Sequence, residues 1–282
     1  YNTDTDSDGV NDALKVYGPV SEVYNVKLSD DGYVGYKIGI AVVPENTATD
    51  KTIAKNTGNI NFYGANSIGM YVYLPTTLGA QNTTFDGTLL NSGNITLSGK
   101  ESYGMKMAGK TGTNAKYENA GTITLKKNVN DAADGSAGMA LMDDSTVGSV
   151  NLAAGVAKNS KIIKLENVKN SLGTYVNINS DITNTGTGNK GIIAEEEESV
   201  GIFGEISSIA TAYKTINNSG DIITGKTKSA GIYGKNSDIT AKGSANFSNK
   251  GVLAYLENSK FISHLGNLGA TKNTMMYLKN SI

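Results

Sequence analysis

The sequence predicts an all-β protein, a right-handed parallel β-helix (solenoid) with protruding loops, on three observations. Gly accounts for 34 of the 282 residues and Pro for only 3, and Gly, Asn, Ser and Thr separate short runs of apolar residues. This composition is typical of many short strands joined by tight turns. A two-part motif recurs along the chain, and within each part apolar and polar residues alternate with the two-residue period of a strand.

The motif consists of N-x-G-x-I, a variable spacer and S-x-G-[MI]. Successive copies are roughly 30 residues apart, which is the length of one coil of a solenoid. No unit can bury its inward face alone, so stacked neighbours must close the core. Clear copies begin at Asn56, Asn91, Asn119 and Asn218 and resume at Ser67, Ser102, Ser136 and Ser229, and a degenerate copy runs from Asn179 to Ile182 and resumes at Ser199.

Each copy predicts two strands whose apolar pairs face one side, and a third, less regular segment completes the coil. The four Asn residues that open the clear copies are expected to occupy equivalent corners and to form a side-chain ladder along the axis. The five Ser residues that open the second parts are expected at a second corner. The inward pairs are Ile60 and Phe62, Ile95 and Leu97, Ile123 and Leu125, then Met70 and Val72, Met105 and Met107, Met139 and Leu141.

Around these repeats the chain divides into four regions. Residues 1–20 form an acidic N-terminal segment, 21–50 early strands in a hairpin or a first coil, 51–260 the repeats, and 261–282 a continuation of the β-helix. Four segments depart from the repeat and are predicted to be loops, where solenoids often carry binding residues. They are 75–85, 126–134, 158–175 and the four consecutive Glu residues 195–198, the last interpreted as a solvated turn or as a site for a basic partner or a metal.

The N-terminal segment contains the pattern D-x-D-x-D-G-x-x-D. Alternating carboxylates can converge on calcium, Gly9 permits the sharp turn, and the carbonyl of Val10 can complete the ligand set. Lys15 stands where an EF-hand has Glu, so the match is to the shorter type of calcium loop. An acidic end without a metal is the alternative interpretation. The metal ligands predicted from the pattern are Asp4, Asp6, Asp8, Val10 and Asp12.

Composition excludes several classes of site. The chain has no Cys, which rules out disulfides and thiolate chemistry, and its net charge of -1 gives no field that favours nucleic acid. Its basic residues are all Lys, so no bidentate Arg clamp exists. The single His, His264, is interpreted as incidental, and Asp143, Asp144 and the Glu run give no paired carboxylates facing inward. The sequence therefore predicts that the protein is not an enzyme, with a polysaccharide lyase or glycosidase as the catalytic alternative.

Tyrosine is the candidate binding residue, since the chain has 15 Tyr against 5 Phe. Tyr71 and Tyr73 flank the inward Val72, so both are predicted to point outward, and Tyr103, Tyr233 and Tyr255 are expected to join them. An outward row of tyrosines can stack on sugar faces or pack against a protein partner. The alternative is ordinary β-propensity on a solvated face.

Units of the form N-x-G-x-I…S-x-G-I-Y over about residues 50–260 resemble the passenger repeats of type V autotransporters, most of all the large fusobacterial outer-membrane adhesins. The resemblance implies an adhesin at the bacterial cell surface, on the extracellular side of the outer membrane. It implies cell adhesion, coaggregation with other bacteria, and virulence through binding of host-cell glycans or receptors. Membrane attachment would come only from a C-terminal β-barrel outside this sequence. A structural stalk presenting a distal tip is the alternative, and a polysaccharide-active enzyme the less favoured one.

Overall fold

The computed structural model describes parts of the chain between residues 25 and 281, and every regular element in them is a β-strand. These residues contain no helix long and apolar enough to cross a membrane. The described ranges are 25–26, 36–42, 49–73, 84–108, 114–127, 135–142, 157–159, 162–166, 171–176, 182–184, 192–194, 198–205, 214–218, 222–224, 228–242, 252–264 and 276–281.

The described strands, numbered in chain order, form three large sheets and one short pair, β3 (Thr49–Asp50) with β7 (Thr84–Phe85). Sheet 1 has ten strands, with β1 at one edge and β26 at the other. Its members are β1 (Asn25–Val26), β2 (Tyr36–Val42), β6 (Ser67–Tyr73), β10 (Tyr103–Ala108), β13 (Ala137–Met142), β16 (Leu172–Val176), β19 (Val200–Glu205), β22 (Ala230–Lys235), β24 (Val252–Glu257) and β26 (Met276–Lys279).

Sheets 2 and 3 have eight and six described strands. Sheet 2 comprises β4 (Ile53–Asn56), β8 (Thr88–Asn91), β11 (Lys116–Asn119), β14 (Ala157–Asn159), β17 (Ile182–Asn184), β20 (Lys214–Asn218), β23 (Ser237–Lys242) and β25 (Lys260–His264). Sheet 3 comprises β5 (Asn59–Tyr63), β9 (Asn94–Ser98), β12 (Thr122–Lys126), β15 (Ile162–Glu166), β18 (Ile192–Ala194) and β21 (Ile222–Thr224).

The chain visits the sheets in a regular order. From β4 to β22 a strand of sheet 2 is followed by one of sheet 3 and then one of sheet 1, as in β8, β9 and β10, whereas the described strands from β22 to β26 alternate between sheets 1 and 2. Neighbouring strands within each of the three sheets are parallel, except that β1 pairs antiparallel with β2. This is the arrangement of a parallel β-solenoid, and it confirms the predicted fold class; the handedness of the winding stays a prediction.

The predicted inward pairs lie in one continuous core. Ile60, Phe62, Met70 and Val72 are buried, and the same cluster extends along the chain as far as Leu256. Because each coil contributes apolar residues that only the next coil can cover, the hydrophobic effect stabilises the stack more than any single coil.

The two parts of the motif fit together across adjacent coils. A Cβ atom added at Gly104 would lie 2.5 Å from the carbonyl oxygen of Gly138 and 2.5 Å from Cγ2 of Ile123. Gly69 stands in the same relation to Gly104 and Ile95. The glycine of S-x-G therefore leaves the space that the isoleucine of the following N-x-G-x-I fills, which explains why both parts recur together.

The Asn corner forms the predicted ladder. Nδ2 of Asn56 donates to Oδ1 of Asn91 at 2.8 Å, and Asn91 donates in the same way to Asn119 at 2.8 Å. Asn119 donates to Asn159 at 2.8 Å, so Asn159 belongs to the ladder although it does not open an N-x-G-x-I copy. The backbone N–H of Gly58 also donates to Oδ1 of Asn56 at 3.1 Å, which fixes the turn locally.

Beyond Asn159 the ladder position follows the strand register. Asn184 pairs with Asn159 and Asn218 pairs with Asn184, so Asn218 holds its predicted place. The degenerate copy was wrongly placed at Asn179, because the corner residue of that coil is Asn184. Asn218 then pairs with Ala241, where the column of asparagines ends.

The Ser corner is also confirmed among the described residues. The backbone N–H of Ser67 donates to Oγ of Ser102 at 3.1 Å, and the N–H of Ser102 donates to Oγ of Ser136 at 2.9 Å. Ser199 and Ser229 occupy the same corner in later coils, because the N–H groups of Ala230 and Val252 donate to their carbonyl oxygens. The residue before each of these serines has a left-handed backbone: Asn66, Glu101, Gly135, Glu198 and Lys228.

One predicted loop is wrong. Residues 158–175 contain parts of three strands, β14, β15 and β16, which belong to sheets 2, 3 and 1 in the usual order. Ile163 and Leu165 pair with Ile123 and Leu125 and are buried, so this stretch is a complete coil. Residues 75–83, 128–134 and 195–197 of the other predicted loops lie outside the described residues, and the end of the first loop, Thr84–Phe85, is strand β7 with Phe85 buried.

The two ends of the described chain also join the sheets. In the 21–50 region β1 forms an antiparallel pair with β2, and β2 pairs in parallel with β6, so both a hairpin pairing and a first coil occur there. In the 261–282 region β26 extends sheet 1 in parallel with β24.

Candidate binding surface on the outer face of sheet 1

The outer face of sheet 1 carries a row of residues in strict register. Alternation places this row away from the core, because the residues before and after it along β22 and β24, such as Ile232 and Leu256, are buried in the core. From β2 to β26 the row consists of Ala41, Tyr71, Lys106, Ala140, Tyr175, Phe203, Tyr233, Tyr255 and Tyr277.

The last four members form an aromatic ladder. The rings of Phe203 and Tyr233 are stacked with centroids 4.4 Å apart, and those of Tyr255 and Tyr277 are stacked at 4.9 Å. Tyr233 and Tyr255 meet edge to face at 4.9 Å. Parallel in-register pairing brings these rings together, and each contact adds stability beyond the area it buries.

A groove runs beside the aromatic ladder. Its floor is the outer apolar column Val200, Ala230 and Val252, which pair with one another in register. The rings of Tyr233, Tyr255 and Tyr277 form one wall, and Lys228 and Ser229 lie at the Ser corner. The groove is open to solvent and has a volume of about 400 Å³. We call this the tyrosine groove.

Charged residues flank the groove and are paired within the chain. Lys279 Nζ lies 3.0 Å from Glu257, and Lys235 Nζ lies 3.8 Å from Glu205, in a column that alternates in sign along the axis. On the other flank Lys228 Nζ lies 2.9 Å from Glu198. The groove is therefore bordered by ion pairs whose charges cancel.

The electrostatics follow from this layout. Burial, and then the negative charge of Glu257, raise the pKa of the Tyr233 phenol. The hydrogen bond to Glu257 raises the pKa of Lys279, with its negative charge as the next cause. At neutral pH the tyrosine hydroxyl is neutral and can both donate and accept a hydrogen bond.

The predicted binding tyrosines differ in burial and in the residues they contact. Tyr233 lies in the aromatic ladder and is half-buried. Tyr103 is half-buried and lies under Lys106 Nζ, 4.7 Å from the ring centroid. Tyr73 ends β6, but its side chain is not among those described.

Tyr71 requires a correction. It lies on the outer face as predicted, but only 6% of it is exposed, because it packs with Ile38, Ile68 and Tyr103 in a second apolar cluster. Alternation predicts the direction of a side chain but not what packs over it, so Tyr71 offers little surface to a partner.

The predicted calcium ligands Asp4, Asp6, Asp8, Val10 and Asp12 lie outside the described residues, as do Asp143 and Asp144. Within the described ranges, no group of three or more His, Cys, Asp or Glu residues could hold a metal ion. His264 is the last residue of β25, and its side chain is not described.

Sequence reasoning missed Phe203 and Tyr277 as parts of the surface. The signal was present as a second repeat, Y-x-[KE]-N-S, at Tyr233, Tyr255 and Tyr277. It recurs every 22 residues, as the hydrogen bonds from Ser237 to Ser259 and from Ser259 to Ser281 show. The S-x-G motif does not reveal this second repeat, because the repeat has no glycine two residues after its serine.

Comparison of the chain with protein-family models, curated proteins and solved structures gives no match.

Proposed function

We propose that this chain is an extracellular segment of a bacterial autotransporter adhesin that binds host-cell glycans or receptors, partner bacteria, or both. The observation that supports this most is the tyrosine groove, an apolar groove with an aromatic wall on the outer face of a parallel solenoid. Tyrosine is enriched at protein interfaces, because its ring is apolar and its hydroxyl can form hydrogen bonds.

The solenoid suits this role physically. Each coil contacts only its neighbours, so a long surface is held in one geometry by the sum of equivalent interfaces. In-register pairing also repeats the same side-chain type at nearly constant spacing, which allows several weak contacts to act on one partner at once.

The structural stalk is the second candidate. The continuous core from Val42 to Leu256 favours it, because a stack of coils with one core is a stiff spacer. The two functions differ in whether this chain itself touches the partner.

Binding of the purified chain to a glycan array, to epithelial cells and to intact bacteria, with and without calcium, tests the proposal. We expect saturable binding that falls about tenfold or more in Tyr255→Ser. Tyr63→Ser is the matched control, because Tyr63 is 65% exposed on a different sheet. Absence of binding to every target by a folded, β-rich sample would favour the stalk instead.

A further inference from the structure

We infer that the end of the stack at β26 binds a further coil contributed by a partner chain, and that this coil carries an acidic residue beside Lys279. Among the described residues β26 pairs only with β24, so its other edge offers backbone N–H and C=O groups to a further strand. The inference does not depend on what the tyrosine groove binds. It is carried by a corner that is already formed and by three columns of side chains that reach β26.

The corner from which the next coil would continue has the same geometry as the corner before it. Asn280 has a left-handed backbone with φ of 51°, and the equivalent Asn258 has φ of 47°. Oγ of Ser281 donates to the carbonyl oxygen two residues earlier at 3.0 Å, as Oγ of Ser259 does at 2.8 Å. The backbone N–H of Ser259 donates to Oγ of Ser281 at 3.0 Å. By the same geometry the N–H of Ser281 would donate to a serine of the bound coil.

Two columns at this end require apolar and aromatic residues. The inward column passes through Gly234, Leu256 and Leu278. Leu256 lies beneath the next strand and is 0% exposed, whereas Leu278 is 48% exposed. In the outer row the ring of Tyr277 is stacked on that of Tyr255, and Tyr277 is 53% exposed. A strand with an apolar residue over Leu278 and an aromatic residue over Tyr277 would remove both surfaces from water.

The third column selects the charge of the partner. It consists of Glu205, Lys235, Glu257 and Lys279, which alternate in sign along the axis. Lys235 Nζ lies 3.8 Å from Glu205, and Lys279 Nζ lies 3.0 Å from Glu257. An acidic residue in the next strand would lie on the other side of Lys279 and continue the alternation. A lysine there would face a like charge directly across the strands, which is unfavourable.

A second copy of this chain does not meet these requirements. Residues 260–281 contain no Asp or Glu, so the last coils of two copies meeting tail to tail would offer no acid to Lys279. At the other end of the described stack, sheet 1 ends in the antiparallel strand β1, and the coils there contribute to three sheets. A head-to-tail contact would therefore match neither the strand direction nor the shape of the 22-residue coils. The occupant is instead a segment of another polypeptide with the pattern aromatic-x-Glu-Asn-Ser after an apolar residue.

The probe is a fluorescently labelled synthetic peptide that copies residues 238–259, the unit of this chain with that pattern. Fluorescence anisotropy measures its affinity for the intact chain. We expect saturable binding, and binding about tenfold weaker for the same peptide with Glu257→Lys. The chain variant Lys279→Glu should reverse this preference, because its new charge repels the unchanged peptide and attracts the altered one.

Two further chain variants separate the end of the stack from the rest of the surface. Leu278→Asp, which places a charge in the inward column, should bind the unchanged peptide about tenfold less. Tyr63→Asp is the matched control, because Tyr63 is 65% exposed in the first coil of sheet 3, and it should bind like the intact chain. Circular dichroism and thermal unfolding establish that each variant is folded.

Three results would overturn the inference. They are no saturable binding of the unchanged peptide, equal binding of both peptides by the intact chain and Lys279→Glu, or undiminished binding by Leu278→Asp. Sedimentation of the intact chain as a dimer that the peptide does not dissociate would also overturn it, because a second copy would then occupy the end of the stack. None of these results bears on the adhesin function, which is measured by binding to cells.

Discussion

The coils near the middle of the sequence and those near its end share sheet 1 but are built differently. In the coils from β4 to β14, equivalent Asn residues are 35, 28 and 40 positions apart, and each coil contributes to three sheets. In the coils from β22 to β26, equivalent Ser residues are 22 positions apart, and the described strands belong only to sheets 1 and 2.

The corners explain the difference. In the longer coils a buried Asn ladder turns the chain from sheet 2 into sheet 3. Where that ladder ends at Ala241, a left-handed asparagine followed by serine turns the chain directly from sheet 1 into sheet 2, at Asn236 and Asn258. Asn tolerates the left-handed region better than most residues, so the shorter coil needs no glycine there. The two coil lengths therefore occur with two different kinds of corner.

The outer face differs as well. Tyr71 and Ala140 are buried on the outer face of the longer coils, whereas Tyr277 in the same row is 53% exposed. The same row is therefore buried in some strands and open in others: Ala41 is exposed as well, and Tyr233 and Tyr255 are half-buried. Variants in pairs, one in each region, sharpen this comparison.

The largest expected effect comes from adding a methyl group between coils. A Cβ atom at Gly104 would lie 2.5 Å from a backbone oxygen, whereas at Gly234 its nearest neighbour is Cδ1 of Ile239, the end of a flexible side chain. We expect Gly104→Ala to lower the free energy of unfolding by more than about 3 kcal/mol and Gly234→Ala by less than about 1 kcal/mol. Chemical denaturation measures both, and equal losses would show that the two regions pack with the same tolerance.

The next effect concerns the Asn ladder. Asn91→Ala removes the acceptor for Asn56 and the donor to Asn119 inside the protein. We expect a loss of about 2–3 kcal/mol, since buried polar groups are left without partners. The control is Asn94→Ala, which breaks an exposed Asn–Asn hydrogen bond of 2.8 Å and should cost less than about 0.5 kcal/mol. If Asn91→Ala leaves the free energy of unfolding unchanged, the ladder does not stabilise the longer coils.

A smaller effect is expected at Tyr117. Its buried hydroxyl donates toward the carbonyl oxygen of Met105 at 2.6 Å and accepts from the N–H of Ala140 at 3.2 Å. Tyr117→Phe should cost about 1–2 kcal/mol, and Tyr63→Phe at the surface should cost almost nothing. If Tyr117→Phe is as stable as the unchanged chain, the buried hydroxyl does not stabilise the protein.

The same residue gives a pH test. Burial raises the pKa of the Tyr117 phenol well above its ordinary value. The stability linked to this group is fully present below the ordinary phenol pKa of about 10 and is lost as the pH rises toward the raised value. We therefore expect Tyr117→Phe to lose less stability than the unchanged chain between neutral and strongly alkaline pH.

The smallest expected effect is a gain in stability. Glu101 has a left-handed backbone with φ of 55° at the Ser corner. Glu101→Gly should raise stability by about 1 kcal/mol because glycine adopts this conformation without strain. Glu101→Ala keeps the strain and serves as the control. If both variants gain equally, relief of backbone strain is not the cause.

The sequence predicted the parallel solenoid, its inward pairs and two of its corners, because those features repeat one residue type at one position. It missed the coil from Ala157 to Val176, since Asn159 is followed by Ser-Lys and not by the usual glycine, and Thr174 stands where Met or Ile was sought. It missed the shorter coils for the same reason: their corner uses a different chemistry.

The candidate surface was predicted only in part. Alternation correctly placed Tyr71 and Tyr233 on the outer face, but no local pattern could tell that Tyr71 is covered and Tyr277 is open. The contact between Phe203 and Tyr233 depends on residues 30 positions apart meeting in register. Such pairing becomes visible only when the corners that set the register are known.

The two coil lengths also give the molecule two mechanical step sizes. The hydrogen bonds of the sheets and of the Asn ladder join one coil to the next, so tension along the stack acts on these contacts one interface at a time. A coil of 22 residues that peels away would lengthen the chain by roughly 70 Å, and one of 28 to 40 residues by roughly 90 to 140 Å. Under load, the protein would behave as a tether that extends in short steps near its end and in long steps through its middle.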